Sequence, residues 1–508
     1  MAMRPSEGVV SRSDFRAEVT YPGIGFYDGT STLDSNVLHK STTYSAKITH
    51  DFDAFRVVSV TAYDDTGAIH IQDVDATPTA FFHAPSVNQF DKTFTQEFQI
   101  LSPDEARIKW IVGAYYLKSK ANYTTTYTGA PFAFALSTVA TLQKSNSIAG
   151  FAQASMEVLP KTNLTAGLRY TRDRRSFDGT ASWNATTPPI VAGPYADKQN
   201  WSKLTMRASL DHHFTDDVMG YVAFNTGFKS GIYNLSALSP TPAPVAATPF
   251  PALLKAVDPE KLTAYTAGAK MTGLNGRLRL NVEGFYYDYK NIQVQLISGT
   301  AVILVNGSSA KIKGADISLT AEPIDNLTLN AAMTVQEGKY GDFPNAPVIV
   351  PWGPLAAQIA LPPGCGIPPG PYPVRPTTGP AAAAPATQIA CNLKGNKTAR
   401  TPPFSTSLSA NYRIPTNGGP FDLNLSWAHG GNYYFDADNN PDTKQPKTNI
   451  VNASAQWTSA DSRYNVKLWV RNLTKQKYFS YGAVSSTTYA KYSPQAPRTF
   501  GINFGVQM

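Results

Sequence analysis

Charge is scarce in this chain. Asp, Glu, Lys and Arg make up 16% of its 508 residues, well below the roughly 25% of soluble domains. Long apolar runs are also missing. The longest uncharged stretches, Ser230 to Leu254 and Phe343 to Val374, carry five and ten prolines. Proline costs about 3 kcal/mol inside a helix, so neither stretch crosses a membrane as a helix, and both read as loops. The N-terminus, MAMRPSEGVVSRSDFRAEV, has no apolar core and no small-residue cleavage site, so it does not read as a secretory signal. Either the protein stays in the cytoplasm or the chain starts inside a longer one, and the remaining sequence has to decide.

Metal-binding and catalytic signatures are absent too. The seven histidines (39, 50, 70, 83, 212, 213 and 429) form no HxxxH or HExxH pattern and no Cys/His cluster, which argues against zinc. There is no GxSxG, no P-loop and no GxGxxG, and Gly23-Ile24-Gly25 lacks the third glycine. The expectation is a chain that is not an enzyme and holds no cofactor and no metal. Only two cysteines occur, Cys365 and Cys391, with 25 residues between them and no CxxC spacing. They suit one disulfide in an oxidising compartment, against the alternative of two unrelated thiols. The net charge is +8, but the basic residues are spaced, as in Arg169, Arg172, Arg174 and Arg175, or Lys467, Arg471, Lys475 and Lys477. No run of five like charges occurs, so no nucleic-acid partner is expected. Such spacing suits a lumen or an anionic membrane surface better.

What the chain does have is neutral polar residues and aromatics. With 26 Tyr, 25 Phe and 7 Trp it is not a disordered chain. Period two dominates. From Leu278 to Leu296 the even positions read Leu278, Leu280, Val282, Gly284, Tyr286, then Ile292, Val294, Leu296. The odd ones read Arg279, Asn281, Glu283, then Asn291, Gln293, Gln295. That is an extended strand with one apolar and one polar face, about 60 Å long at roughly 3.3 Å per residue. The same alternation returns at Leu164–Tyr170, Ile317–Ala321, Leu327–Val335, Phe404–Ile414 and Phe421–Trp427. About seventeen such segments can be counted, or about eighteen if Phe15–Tyr21 is included.

The connections alternate as well. Tight turns recur at 50–54, 102–106, 159–163, 214–218, 273–277, 322–326, 415–419 and 458–462. Longer loops lie between them at 65–91, 121–144, 178–200, 231–258, 297–306, 342–400, 436–446 and 481–494. Segregation of short turns from long loops is the pattern of a transmembrane barrel, with periplasmic turns at one end and outer loops at the other. A propeller would instead repeat every 40–50 residues or so. In lipid every backbone group needs a partner within the protein, so a spanning sheet has to close. The apolar face then meets lipid, the polar face meets the lumen, and Tyr and Trp form girdles at the interfaces. The last strand, Phe500, Ile502, Phe504, Val506 and Met508, puts one apolar face at spacing two up to the final residue.

YVAFNTGFKSGIYN (221–234), VDPEKLTAYTAGAK (257–270), LRLNVEGFYYDYKNIQVQ (278–295), NGSSAKIKGADISLTAEPIDNLTLNAA (306–332), VRNLTKQKYFSYGA (470–483) and APRTFGINFGV (496–506) together resemble the TonB-dependent receptors, from about residue 40 onward. The terminal strand resembles the end signal of bacterial outer-membrane proteins, though Met508 stands where Phe or Trp is usual. The resemblance implies an all-β fold: a transmembrane antiparallel β-barrel of about 22 strands around a plugged lumen, of which about 17–18 strands are present. Residues 1–41 are then the remnant of an outer loop or strand, and 42–508 the partial barrel with a long outer loop at 342–400. The family's plug, TonB-contacting segment and leader are not found in this sequence. Seventeen strands starting at about Thr42 are not expected to close as the parent barrel does.

The resemblance further implies a cell-outer-membrane receptor for TonB-energised uptake of a scarce solute, an iron–siderophore or a ligand of similar bulk. The expected partners are outer-membrane lipid and lipopolysaccharide, the TonB–ExbB–ExbD system through the part not found, and a small solute. The competing readings are a passive pore, an adhesin-like barrel, or a non-functional fragment. In the family the GFKSG stretch lies where the barrel meets its loops, which places Lys229 and Asn234 towards solute, or else makes them strand-ending and loop-ordering residues. The loop 342–400 holds 13 of the 38 prolines and five charged residues. A Cys365–Cys391 bond there would close about 25 residues, worth roughly 3 kcal/mol by chain entropy. Such a loop would contribute Trp352, Tyr372 and Arg375 to the solute entrance. The oxygen-rich DADNNPD segment (Asp436, Asp438, Asn440, Asp442) has Pro441 and Lys447 where a calcium loop needs Gly and Glu, so it reads as an Asx-turn loop.

Overall fold

The structure is a computed structural model and describes residues 26–27, 33–73, 83–128, 137–183, 190–235, 255–298, 301–351, 386–485 and 489–507. Its strands in chain order are β1 (Asn36–Asp51), β2 (Arg56–Asp73), β3 (His83–Leu101), β4 (Ile108–Thr128), β5 (Ser137–Leu159), β6 (Thr162–Trp183), β7 (Ile190–His213) and β8 (Val218–Lys229). Then follow β9 (Glu260–Gly273), β10 (Leu278–Lys290), β11 (Gln293–Ser298), β12 (Ala301–Asn306), β13 (Ser309–Ile324), β14 (Leu327–Tyr340), β15 (Ala346–Pro351) and β16 (Ala386–Cys391). The last are β17 (Phe404–Ile414), β18 (Phe421–Gly430), β19 (Tyr433–Tyr434), β20 (Lys444–Gln445), β21 (Thr448–Thr458), β22 (Tyr464–Arg471), β23 (Phe479–Ser485), β24 (Tyr489–Pro494) and β25 (Thr499–Val506).

Seventeen of these strands form one sheet. Each pairs antiparallel with the next along the chain, from β1 to β10 and on through β13, β14, β17, β18, β21, β22 and β25. The eight tight turns join β1–β2, β3–β4, β5–β6, β7–β8, β9–β10, β13–β14, β17–β18 and β21–β22, all at one end. Turn chemistry fits the strand twist: Asn275 and Gly276 sit at φ 55° and 85°, and Asn326 at 66°. At the other end four small hairpins (β11–β12, β15–β16, β19–β20 and β23–β24) rise from the long loops. Among the described residues no pairing joins β1 to β25.

Strict alternation sets the two faces of the wall. On β6 Leu164, Leu168 and Tyr170 are 40%, 55% and 54% exposed, while Thr165, Gly167 and Arg169 between them are less so. The outward set continues sideways in register: Ile108, Met156, Leu164, Leu210, Val222, Ala267, Gly284, Ala315, Val335 and Phe404 lie in one lateral row. An exposed row with no polar side chain is a liability in water and a requirement in hydrocarbon. The inner face is polar. Arg169 lies over the Tyr115 and Phe151 rings at 5.3 and 5.5 Å, and Tyr221 donates to Glu283 at 2.5 Å.

The main hydrophobic core of the described residues is not in the wall. It sits at the long-loop end, where the ends of β5 and β6 (Val139, Phe177, Ala181) meet Tyr233, the β11–β12 hairpin (Val294, Leu296, Ile303) and the β15–β16 hairpin (Val348, Ile389, Cys391). Each fully buried apolar side chain there contributes roughly 1.5–3 kcal/mol, so the loops form a packed cap.

Two sequence expectations need correcting. The segment from Leu278 to Leu296 is not one strand. Asn291 adopts φ 52°, a left-handed conformation that breaks the ladder. The chain leaves the wall there and re-forms as β11, paired with β12. The loops read at 65–91, 121–144 and 178–200 are mostly strand. β2 to β7 rise into them, and β7 alone is 24 residues long, about 80 Å at strand rise. Phe15–Tyr21 and Met508 lie outside the described residues.

Candidate functional site

A cavity of about 650 Å³ opens on the inner side of the wall at the long-loop end. Its walls are the inner faces of β1 to β4 (His39, Ala68, His70, Gln89, Asp91, Tyr123), the 232–235 segment and the β11–β12 hairpin (Gln295, Ile303, Leu304). Mixed apolar walls with a few polar groups suit a bulky, partly polar ligand.

The hairpin that closes this cavity is held by side-chain amides, not by packing alone. Asn234 Nδ2 donates to the Leu304 carbonyl at 2.9 Å and Asn234 Oδ1 accepts from the Leu304 N–H at 2.6 Å, so the side chain mimics a strand neighbour. Gln293 Nε2 donates to the Ser230 and Asp258 carbonyls, each at 3.0 Å, and the Gln293 N–H donates to Glu260 at 2.7 Å. Asn306 accepts from the Asp258 N–H at 2.7 Å and donates to the Asp258 and Asn291 carbonyls. Tyr233 stacks on Phe177 with centroids 5.3 Å apart and donates its hydroxyl to Asp197 at 2.9 Å.

Of the residues picked from sequence, Asn234 lines the cavity, is 9% exposed and is engaged with the hairpin backbone. Lys229 ends β8, exposed, in register with Glu260. Alternation from outward Val222 puts it on the lumenal face. Cys391 ends β16, is 2% exposed and is not a free thiol. Cys365, Trp352, Tyr372 and Arg375 lie outside the described residues. His39 and His70 were not singled out from sequence as site residues, because lone histidines on alternating strands carry no motif. His70 Nε2 is buried with no hydrogen-bond partner among the described residues, inside the cavity wall.

The oxygen-rich loop forms a second cluster. Asp438 accepts from the Asn440 N–H at 3.1 Å, and Asn440 Oδ1 accepts from the Asp442 N–H at 2.9 Å. These are successive Asx turns capping a single turn of 3-10 helix at Pro441–Thr443. Burial pushes the Asp436 carboxyl up to about 7, with Asp438 adding and Arg400 opposing. Burial pushes Asp438 up to about 6. The Arg400 guanidinium lies over the Phe435 and Tyr481 rings at 5.7 and 6.0 Å, and burial raises Tyr481 to about 12.

The profile of the TonB dependent receptor-like β-barrel family matches residues 5–473. Solved structures with the same fold include the ferric yersiniabactin uptake receptor FyuA from Yersinia pestis (TM-score 0.69, 17% identity, 92% of this chain and 61% of that one). The siderophore receptor PiuA from Acinetobacter baumannii is similar at TM-score 0.64, with 16% identity over 92% of this chain and 64% of that one. The copper transporter OprC is similar at TM-score 0.61, with 13% identity over 92% of this chain and 65% of that one. The chain therefore spans less than two thirds of the length of these proteins.

Proposed function

Since the chain belongs to the TonB-dependent receptor β-barrel family, a family of receptors and transporters rather than enzymes, we propose that it is the barrel of an outer-membrane receptor for energised uptake of a scarce solute. The solute is an iron–siderophore complex or a ligand of similar bulk, and energy reaches it through TonB, ExbB and ExbD. The observation that carries this reading is the capped cavity of about 650 Å³ at the long-loop end of a wall whose outer face is apolar. A passive pore has no use for a packed cap over its mouth. The neighbours bind different iron chelates or copper by their names, so the fold supports the class and leaves the solute open.

Within that reading, residues 42–508 are the barrel and its outer loop 342–400, and 1–41 lead into it, with the first strand reaching back to Asn36. His70 and Lys229 face solute. Asn234 holds the entrance in shape. Trp352, Tyr372 and Arg375 contribute to the entrance, and a Cys365–Cys391 bond ties the loop that carries them. The test is uptake of radiolabelled iron, supplied as a panel of chelates, by cells with and without this receptor and with and without TonB. Uptake of at least one chelate that needs both proteins is expected. Influx that needs the receptor but is unchanged without TonB would establish the passive pore instead.

A further inference from the structure

We propose that His39 and His70 are the metal-contacting residues of the solute cavity. The cargo is then a small neutral or cationic chelate of copper(II), nickel(II) or zinc(II) with two adjacent coordination positions open or held by water. The inference rests on the receptor reading and narrows its solute. The two imidazoles come from adjacent strands. His39 of β1 lies opposite Ala68 of β2, and His70 stands two residues further along β2. Residues opposite each other share a face, and so do residues two apart on one strand. Both histidines therefore point into the lumen, and both line the cavity of about 650 Å³. Diagonal positions of this kind hold their Cβ atoms within about 8 Å. That is close enough for two rings to meet one ion at the roughly 2.0–2.1 Å of a metal–imidazole bond.

The wall leaves His70 without a partner. Its register neighbours are Val37 on β1 and Val87 on β3, whose side chains offer no polar atom. Its Nε2 is buried with no hydrogen-bond partner among the described residues. Buried polar groups are paired in the great majority of cases, so an orphaned ring nitrogen in a cavity wall calls for a partner that arrives with the solute. The nearby polar side chains are engaged elsewhere. Asp91 accepts from the Thr93 hydroxyl at 2.5 Å and from the Ser119 hydroxyl at 2.9 Å, and Asn234 is bonded to the Leu304 backbone. Rotation of the His70 ring about Cβ–Cγ, a soft torsion, brings a ring nitrogen to the cavity side without moving the strand.

The charge pattern selects the cargo. Among the described residues that line the cavity, Asp91 carries the only formal charge, and there is no Lys or Arg. An anionic chelate would meet a carboxylate and no counter-charge. Imidazole is a donor that suits copper, nickel and zinc, and an iron(III) complex whose positions are all filled leaves the rings nothing to bind. Two imidazoles do not complete a site for a bare ion. Among the described residues no group of three or more His, Cys, Asp or Glu is placed to hold one. The cargo must therefore bring its other donors, as a chelate does. On binding, the lone pair of each neutral imidazole takes the place of a water on the metal. No proton moves, and the metal keeps its oxidation state.

The experiment uses the receptor isolated from outer membranes and copper(II)–iminodiacetate, a neutral chelate with water-held positions. Electron paramagnetic resonance reads whether imidazole nitrogen is bound to the copper. The parent is expected to show two bound imidazoles. H39Q and H70Q are each expected to bind at least about tenfold more weakly and to lose one of the two. H212Q/H213Q, at the short-turn end, is expected to match the parent. His39 is exposed on a strand that pairs only with β2 among the described residues, so H39Q serves as the test even where H70Q fails to fold. Copper spectra without imidazole nitrogen, or the same in the parent and H39Q, would overturn the site. In cells, TonB-dependent uptake of radiolabelled copper given as this chelate is expected to fall at least about tenfold in H39Q/H70Q. TonB-dependent uptake of a fully coordinated iron(III) chelate, equal in parent and double variant, with no copper chelate bound, would overturn the imidazole site and leave the receptor reading standing. A receptor that carries neither chelate in a TonB-dependent way would overturn that reading and this inference with it.

Discussion

Replacing Asn234 by alanine separates an entrance-shaping role from direct contact with solute. The side chain is 9% exposed and makes a donor and an acceptor bond to the backbone of Leu304, at 2.9 and 2.6 Å. Asn234→Ala removes both and leaves the Leu304 N–H and C=O without those partners, at roughly 1–3 kcal/mol for each unsatisfied group. Water reaching the opened edge recovers part of that, so the net loss is about 2–4 kcal/mol. It falls on the docking of the β11–β12 hairpin and not on the wall, whose ladders are untouched. Local opening would then rise by about 30- to 700-fold. Amide hydrogen exchange of residues 293–306 in the reconstituted receptor measures this directly, with β5 and β6 amides as the internal reference. Faster exchange confined to the hairpin is expected, with weaker solute binding as its consequence. Unchanged exchange together with lost binding would refute the reasoning and make Asn234 a solute ligand.

Other consequences follow from the same contacts. Asp436 and Asp438, raised to about 7 and about 6 by burial, bind more protons in the folded loop than in the unfolded one. The 431–446 loop is therefore most stable below about pH 4 and loses on the order of 4 kcal/mol, as an upper bound for Asp436, as pH rises towards 7. Asp436→Asn should flatten that dependence in proteolysis of the loop measured across pH. Gly419 sits at φ 109°, and an added Cβ would lie 1.9 Å from the Thr458 carbonyl. Gly419→Ala should thus destabilise the β17–β18 turn by about 1–3 kcal/mol, seen as a lower Tm with solute binding kept. Cys391→Ser should loosen the 342–400 loop. Peptide mapping of the parent under non-reducing conditions should give a Cys365–Cys391 peptide, and free thiols at both positions would dispose of that bond.

The wall was legible in the sequence because lipid enforces it. Most outward positions inside the hydrocarbon are apolar, so Leu164 to Tyr170 and Phe404 to Ile414 announce their faces at period two. The eight tight turns were legible for the same reason, since short polar segments interrupt the alternation. Above the membrane the constraint lapses. Outward Lys118, Lys120 and Arg174 continue their strands with no apolar signal, so β2 to β7 read as ending too early. The break at Asn291 was hidden because Ile292, Val294 and Leu296 keep the alternation while changing sheets. Asn234 was found through a family motif, but its engagement with Leu304 depends on a hairpin 70 residues away in sequence. His39 and His70 carried no signal, because two histidines on adjacent strands become neighbours only through register.

The placement of the two ends of the wall is the central claim, and cysteine labelling in whole cells tests it most directly. Asp216, 95% exposed in the β7–β8 turn, and Lys394, 69% exposed within the 342–400 loop, give one reporter at each end. In cells carrying the receptor as Lys394→Cys, a membrane-impermeant maleimide should label the protein from outside. In cells carrying Asp216→Cys, labelling should appear only after the outer membrane is permeabilised. Labelling of Asp216→Cys in intact cells with Lys394→Cys protected, or recovery of both proteins in the soluble fraction, would contradict the account.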